Sequence, residues 1–227
     1  MPLQSRYERW RDPLLTTLTC AFLILLFVIA PLQAAGSIAA HHFGLLFSLM
    51  LVSAVFVVSG SRLAMAAIVV AIVLATLATV FRYRHPSAVD IYLDASAWLI
   101  TGLTLSTTVA RAVFAPGKIS YHRIIGAILL YLNIGLIFVA LFCFVALYDV
   151  HAFTGLPPLQ DNLGVANNLI YFSFVTLTSV GYGDIAPLHP YARGLANLEA
   201  IIGQLYPATL LARLVSLQLQ DRSVSKH

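Results

Sequence analysis

Six long apolar runs dominate this sequence: Leu14–Leu32, Phe43–Ser59, Leu63–Phe81, Ala95–Ala115, Ile124–Tyr148 and Leu195–Leu217. Each approaches the ~20 residues a helix needs to cross a bilayer, where no water is available to pair a loose backbone group. Only 10% of the 227 residues are charged, whereas a soluble domain carries about a quarter. Mean hydropathy is +0.89. The chain is therefore predicted to be an all-α membrane protein with six transmembrane helices. The gap between the second and third runs, "SGSR", is short for a connection between spans.

A net charge of +4 could suggest a nucleic-acid partner, but the distribution points to lipid. With the N-terminus in the cytoplasm, Arg6, Arg9, Arg11, Arg62, Arg111, Lys118, Arg123, Arg213, Arg222 and Lys226 face inward, and Arg82, Arg84 and Arg193 face outward. That bias predicts a multi-pass protein of the plasma (inner) membrane with both termini cytoplasmic. The first apolar run follows three arginines and ends near "APLQAAG", as a secretory signal would. It is longer than the usual signal core of about 7–15 residues, so a retained helix is expected. Cys20 and Cys143 fall at opposite membrane depths, too far apart to pair.

Residues 1–13 place Leu3, Tyr7 and Trp10 on one helical face, suiting a helix in the headgroup layer; a disordered basic tail fits equally well. Residues 14–115 read as a peripheral bundle of four helices. A voltage sensor would need arginines repeated along the fourth, and that helix carries Arg111 alone. Its Thr101, Thr104, Thr107 and Thr108 are expected to bond backbone carbonyls or neighbouring helices. "PGKISYHR", residues 116–123, reads as a linker into a second unit, 116–217, and residues 218–227 as a short cytoplasmic tail. Unless the chain continues beyond it, that tail has no room for a ligand-sensing domain.

The second unit begins with a long helix ending at Tyr148 and a polar loop. Then comes "LGVANNLIYFSFVTLTSV", too short and polar to span, with Asp161 or Asn162 available as its N-cap. Next follow the turn "GYGDI" and the last apolar run. A short helix and a glycine turn between two spans make a re-entrant loop, whose irregular backbone survives only where it is buried in protein or lines water. Glycine at alternate positions permits a run of carbonyls turned to one side, which can replace the water around a dehydrated cation. The candidates are Thr178, Ser179, Val180, Gly181, Tyr182 and Gly183.

The stretch "TLTSVGYGD", residues 176–184, resembles the signature of the potassium channel pore-loop family. The resemblance covers residues 120–217 well and the first 115 loosely. It implies a homotetramer in which four loops form one pore, with K+ as permeant ion at Thr178, Ser179, Val180, Gly181 and Tyr182, and no other cofactor. In the family Tyr182 packs on the pore helix of a neighbouring subunit, and Asp184 caps the outer end beside a tryptophan. Here the aromatic pair is Tyr171–Phe172, so Tyr171 is the candidate partner of Asp184. Where some relatives carry a glutamate behind the filter this chain has Val175, and where the family usually has threonine it has Ser179, which lacks the methyl that holds the rotamer.

The resemblance also marks Gly203 as an inner-helix hinge. Pro207, four residues on, lacks the N–H that would bond the Gly203 carbonyl; a static kink is the alternative. Glu199, an acid inside a span, is expected either behind the filter on Ser173 or Thr176, or facing the cavity as a charge. Asn133 reads as an interhelical hydrogen bond. His151 and His189 fall near the mouth, most simply as solvated surface residues. No Ser/His/Asp set or metal spacing occurs, and "GYGD" lacks the continuation of a phosphate loop, so no enzyme activity is expected. The function read from the sequence is passive K+ conduction. The alternatives are a poorly selective cation channel, a non-conducting subunit or a potassium transporter.

Overall fold

A computed structural model describes residues 16–34, 62–84, 88–114, 121–157 and 162–224. The N-terminal segment 1–13, the run Phe43–Ser59, Pro116–Lys118 of the linker, the candidate cap Asp161 and the last three residues lie outside the described residues.

Six helices account for nearly all of the described structure. Helix α1, residues 16–34, contains one wide turn at Leu25–Ile29, where the Ala30 N–H donates to the Leu25 carbonyl. Pro31 follows and has no N–H for the Phe27 carbonyl, a common reason for such a bulge. Helix α2 is Arg62–Arg84, α3 is Ala88–Val113 and α4 is Tyr121–Tyr148. Helix α5 is the short Asn162–Leu177, and α6 runs from Pro190 to Val224. Residues 121–123, assigned to the linker by their sequence, are the first turn of α4.

Two helices are long and apolar enough to cross a membrane, Leu63–Phe81 and Tyr121–Tyr148; Thr16–Leu32 and Gly164–Leu177 are shorter apolar helices. The predicted spans at 95–115 and 195–217 are helical but fall below that standard. Asn197, Glu199 and Gln204 interrupt the second, and hydroxyl groups the first. Hydropathy overstates the polarity of those hydroxyls. Thr101, Thr104 and Thr108 each donate to a carbonyl one turn back, at 2.7 Å, and Thr107 donates to the Thr104 carbonyl at 3.0 Å.

Helix α4 is the hub. Its buried face packs on α3, α5 and α6. Asn133, fully buried, donates from Nδ2 to the Gly102 carbonyl at 2.8 Å and to Ser106 Oγ at 2.7 Å, the interhelical bond its sequence position suggested. Helix α1 lies along α4, with Thr19 donating to the Ile125 carbonyl and Thr16 hydrogen-bonded to His122, and it reaches α5 where Phe27 meets Phe174 edge-on at 5.4 Å. Helix α2 buries Ile68, Ala71 and Ala78 and leaves Val69, Val70, Val73, Leu77 and Val80 exposed, an apolar outside suited to lipid.

The polar loop after α4 contains an element its sequence did not signal. Phe153–Thr154 (β1) pairs antiparallel with Ala186–Pro187 (β2), with Phe153 opposite Pro187. Phe153 also meets Phe142 of α4 and Phe172 of α5 edge-on, at 5.8 and 5.5 Å. Both loops are thereby tied to the core at the same end. Cys20 and Cys143 are free thiols, as their predicted depths required.

Candidate functional site

The loop after α5 is built by its hydrogen bonds. Its first amides turn back onto the helix: Thr178 N–H donates to the Phe174 carbonyl at 3.1 Å, Ser179 to Thr176 at 2.9 Å, and Val180 and Gly181 to Val175 at 2.9 and 3.4 Å. These bonds satisfy carbonyls that the end of a helix leaves orphaned. Among the described residues, no hydrogen bond is accepted by the carbonyls of residues 178–183.

Backbone conformation alternates along the same loop. Ser179, Gly181 and Gly183 have φ of +57°, +60° and +82°, while Val180 and Tyr182 between them stay negative. An extended strand points successive carbonyls to opposite sides; alternating the sign of φ turns like groups to a common side, as in backbone nests. Glycine accepts this conformation freely, whereas Ser179 is held in it at a cost of about 1–2 kcal/mol. All seven residues from Thr178 to Asp184 are exposed, and Ile185 behind them is buried.

Two groups brace the outer end. The Tyr171 ring on α5 stacks on Tyr182 with centroids 6.4 Å apart and planes 2° from parallel. Its hydroxyl lies near the Asp184 carboxylate. The resemblance placed Tyr182 against a neighbour's helix; within one chain it lies on its own α5. His189 stands among Tyr148 and Tyr191, at 5.8 and 5.0 Å, instead of free in solvent, and its Nδ1 accepts from the Tyr191 N–H. His151 is exposed.

Behind the loop lies Glu199, fully buried. Its Oε1 is 2.5 Å from Ser173 Oγ, and the same hydroxyl is 2.8 Å from the Gly135 carbonyl. One residue thus joins α6, α5 and α4. Glu199 Oε2 has no partner among the described residues. Of the two positions open to this acid, the structure has the one on Ser173.

Helix α6 then passes the inner end of the loop. Gly203 is buried so closely on the last carbonyl of α5 that a Cβ would overlap the Leu177 oxygen and lie 2.8 Å from its carbon. Next to it, Gln204 Nε2 donates to Ser179 Oγ at 2.9 Å. Tyr206 donates to the Ala127 carbonyl at 2.8 Å and stacks on Tyr131 of α4, whose own hydroxyl donates to the Leu177 carbonyl. The helix continues through Pro207 without interruption. Gln204, Tyr131 and Tyr206 were not singled out from the sequence. Each finds its partner 25 or more residues away, so no local pattern marks it.

The part of the chain from the middle of α4 through α5, the loop and most of α6 is matched by a known family. Residues 134–219 match a family model described as "Ion channel". Two curated relatives, both named Protein LctB, are similar to part of the chain. The protein from Bacillus caldotenax is 39% identical over 56 residues, covering 25% of this chain and 41% of the relative. The protein from Geobacillus stearothermophilus is 37% identical over 67 residues, covering 29% and 49%. This chain thus spans less than half the length of these relatives. No solved structure matches it.

Proposed function

We propose that this protein is a potassium-selective channel in which four copies of the chain surround one axis and K+ crosses passively. The observation that carries this reading is the loop itself: alternating φ at Ser179, Gly181 and Gly183, amides bonded back to α5, and carbonyls left unengaged. Stacked rings of such oxygens replace the hydration shell of a cation, and repulsion between neighbouring ions lets them leave. Thr178, Ser179, Val180, Gly181 and Tyr182 are the K+ ligands, Gly183 completes the outer turn, and Tyr171, Asp184 and Glu199 support it. The family match supports conduction; the "VGYGD" resemblance supports potassium.

The back of the loop favours assembly. An apolar pocket of about 560 Å³, lined by Phe27, Tyr171, Val175, Val180 and Tyr182 among others, stands open in a single chain. Tyr182 and Val180 are 71% and 53% exposed, more apolar area than a lone chain keeps without a partner. A second copy seated there covers both. In this reading six helices span the plasma membrane with both termini cytoplasmic, and α5 with its loop is re-entrant. Since residues 203–206 are held by α4, α5 and the loop, bending of α6 falls to Pro207 rather than Gly203.

Purified protein in liposomes tests the reading through reversal potentials under opposed K+ and Na+ gradients. A K+ preference is expected, and Gly183→Ala is expected to abolish it together with most of the flux, since alanine at φ +82° is strained. Equal K+ and Na+ permeability would instead identify a poorly selective cation channel, absence of flux a non-conducting subunit, and flux stoichiometrically coupled to a second ion a transporter. Tyr171→Phe retains the ring stack but removes the hydroxyl near Asp184. Shorter channel openings are expected if that hydroxyl bonds Asp184 in the assembled pore, and unchanged open times would remove Tyr171 from the support of the filter.

A further inference from the structure

We infer that Gln204 is a positioning residue for the innermost cation layer, acting through the Ser179 hydroxyl; this rests on the channel reading above. Ser179 is the one non-glycine residue of the loop with positive φ among the described residues. It faces the end of the loop nearest α6, and it lacks the branch that would restrict its χ1. A free serine hydroxyl there would sample several rotamers. The Gln204 amide removes that freedom by donating to Ser179 Oγ at 2.9 Å. With one lone pair taken by the amide, the hydroxyl's other lone pair has a defined direction and can face a cation.

The placement of Gln204 is itself built in. Gly203 allows α6 to approach the Leu177 carbonyl at the end of α5, and one residue later the glutamine reaches the second residue of the loop. Tyr206 fixes the same turn to α4. The loop's inner entrance is therefore referenced to the inner helix as well as to α5. A shift of α6 at residue 204 moves the Ser179 hydroxyl with it.

The experiment uses the full chain in detergent and in liposomes, comparing wild type with Gln204→Met, which keeps length and loses the donor, and with both made in a Ser179→Ala background. The first readout is thermal protection as a function of K+ or Na+ concentration, because an ion that binds only the folded state raises the melting temperature by mass action. The second is the K+/Na+ reversal potential.

Gln204→Met is expected to raise the K+ concentration for half protection by about two- to tenfold, the worth of one hydrogen bond, and to lower K+/Na+ discrimination. In the Ser179→Ala background the same substitution is expected to do neither, a non-additivity that a merely structural role would not produce. Unchanged K+ dependence in Gln204→Met, or an equal loss with and without the serine hydroxyl, overturns the assignment while leaving the channel reading intact. Absence of any K+ preference in the wild type overturns both.

Discussion

Gly203→Ala is expected to unseat α6 from the end of α5. The added Cβ overlaps the Leu177 carbonyl oxygen, which is backbone and already receives the Tyr131 hydroxyl at 3.3 Å. Neither group can swing aside as a flexible side chain would. Overpacking of this kind costs about 1–3 kcal/mol and more where the backbone must shift. The gain in helix propensity of alanine over glycine offsets about 1 kcal/mol of this. The clash wins by about 2 kcal/mol, and the melting temperature of the detergent-solubilised protein is expected to fall by about 4–8 °C. The Gln204–Ser179 bond beside it is displaced too, so K+ flux falls with stability. A pure hinge at Gly203 has the opposite signature: the alanine would stiffen and stabilise the helix, raising the melting temperature while altering only opening. Thermal unfolding by intrinsic fluorescence decides between them.

Glu199→Ala is expected to cost about 2–4 kcal/mol, chiefly because it opens a cavity between three helices. The polar part is smaller. Ser173 keeps its bond to the Gly135 carbonyl, so the hydroxyl is not left stranded when the carboxyl goes. Glu199→Gln separates the two terms: the amide fills the same volume and can bond Ser173 through either of its polar atoms. Its cost is expected to stay near or below about 1 kcal/mol, with the melting temperature of the alanine variant at least several degrees lower than that of the glutamine variant. Equal losses in both variants would mean that the negative charge itself is needed, contrary to a group held at 0% exposure with one oxygen unpartnered. A fall in single-channel conductance without loss of stability would return Glu199 to a cavity-facing role.

Much of the architecture was legible because its signals are local. Runs of apolar residues near bilayer length predicted the helices, since a membrane leaves the backbone no other way to pair its groups. The short polar helix before "GYGD" read as re-entrant for the same reason; the structure has a 16-residue helix there, α5, ending at the loop. The threonines of α3 satisfy their hydroxyls within the helix, a bond of one turn's reach. The site was legible only in part. That alternate glycines permit alternate φ could be read directly, but positive φ at Ser179 could not. Nothing in "TSV" demands it, and the bonds that enforce it run to carbonyls of the preceding helix. The β1–β2 pair was missed because two-residue strands, one ending in proline, carry no periodicity.

Gly203 shows the division most plainly. Sequence by itself determined that a glycine and a proline lie one turn apart in the last helix, near an acid; the family spacing favoured a hinge there, with a static kink as the alternative. Only the tertiary structure decided that the glycine is where α6 touches the Leu177 carbonyl, that the acid binds Ser173, and that Gln204 between them and Pro207 reaches the loop. Helix formation depends on contacts three or four residues apart and is written in local order. Which carbonyl a distant glycine must clear depends on how two helices cross, and that is set by the packing of the whole unit.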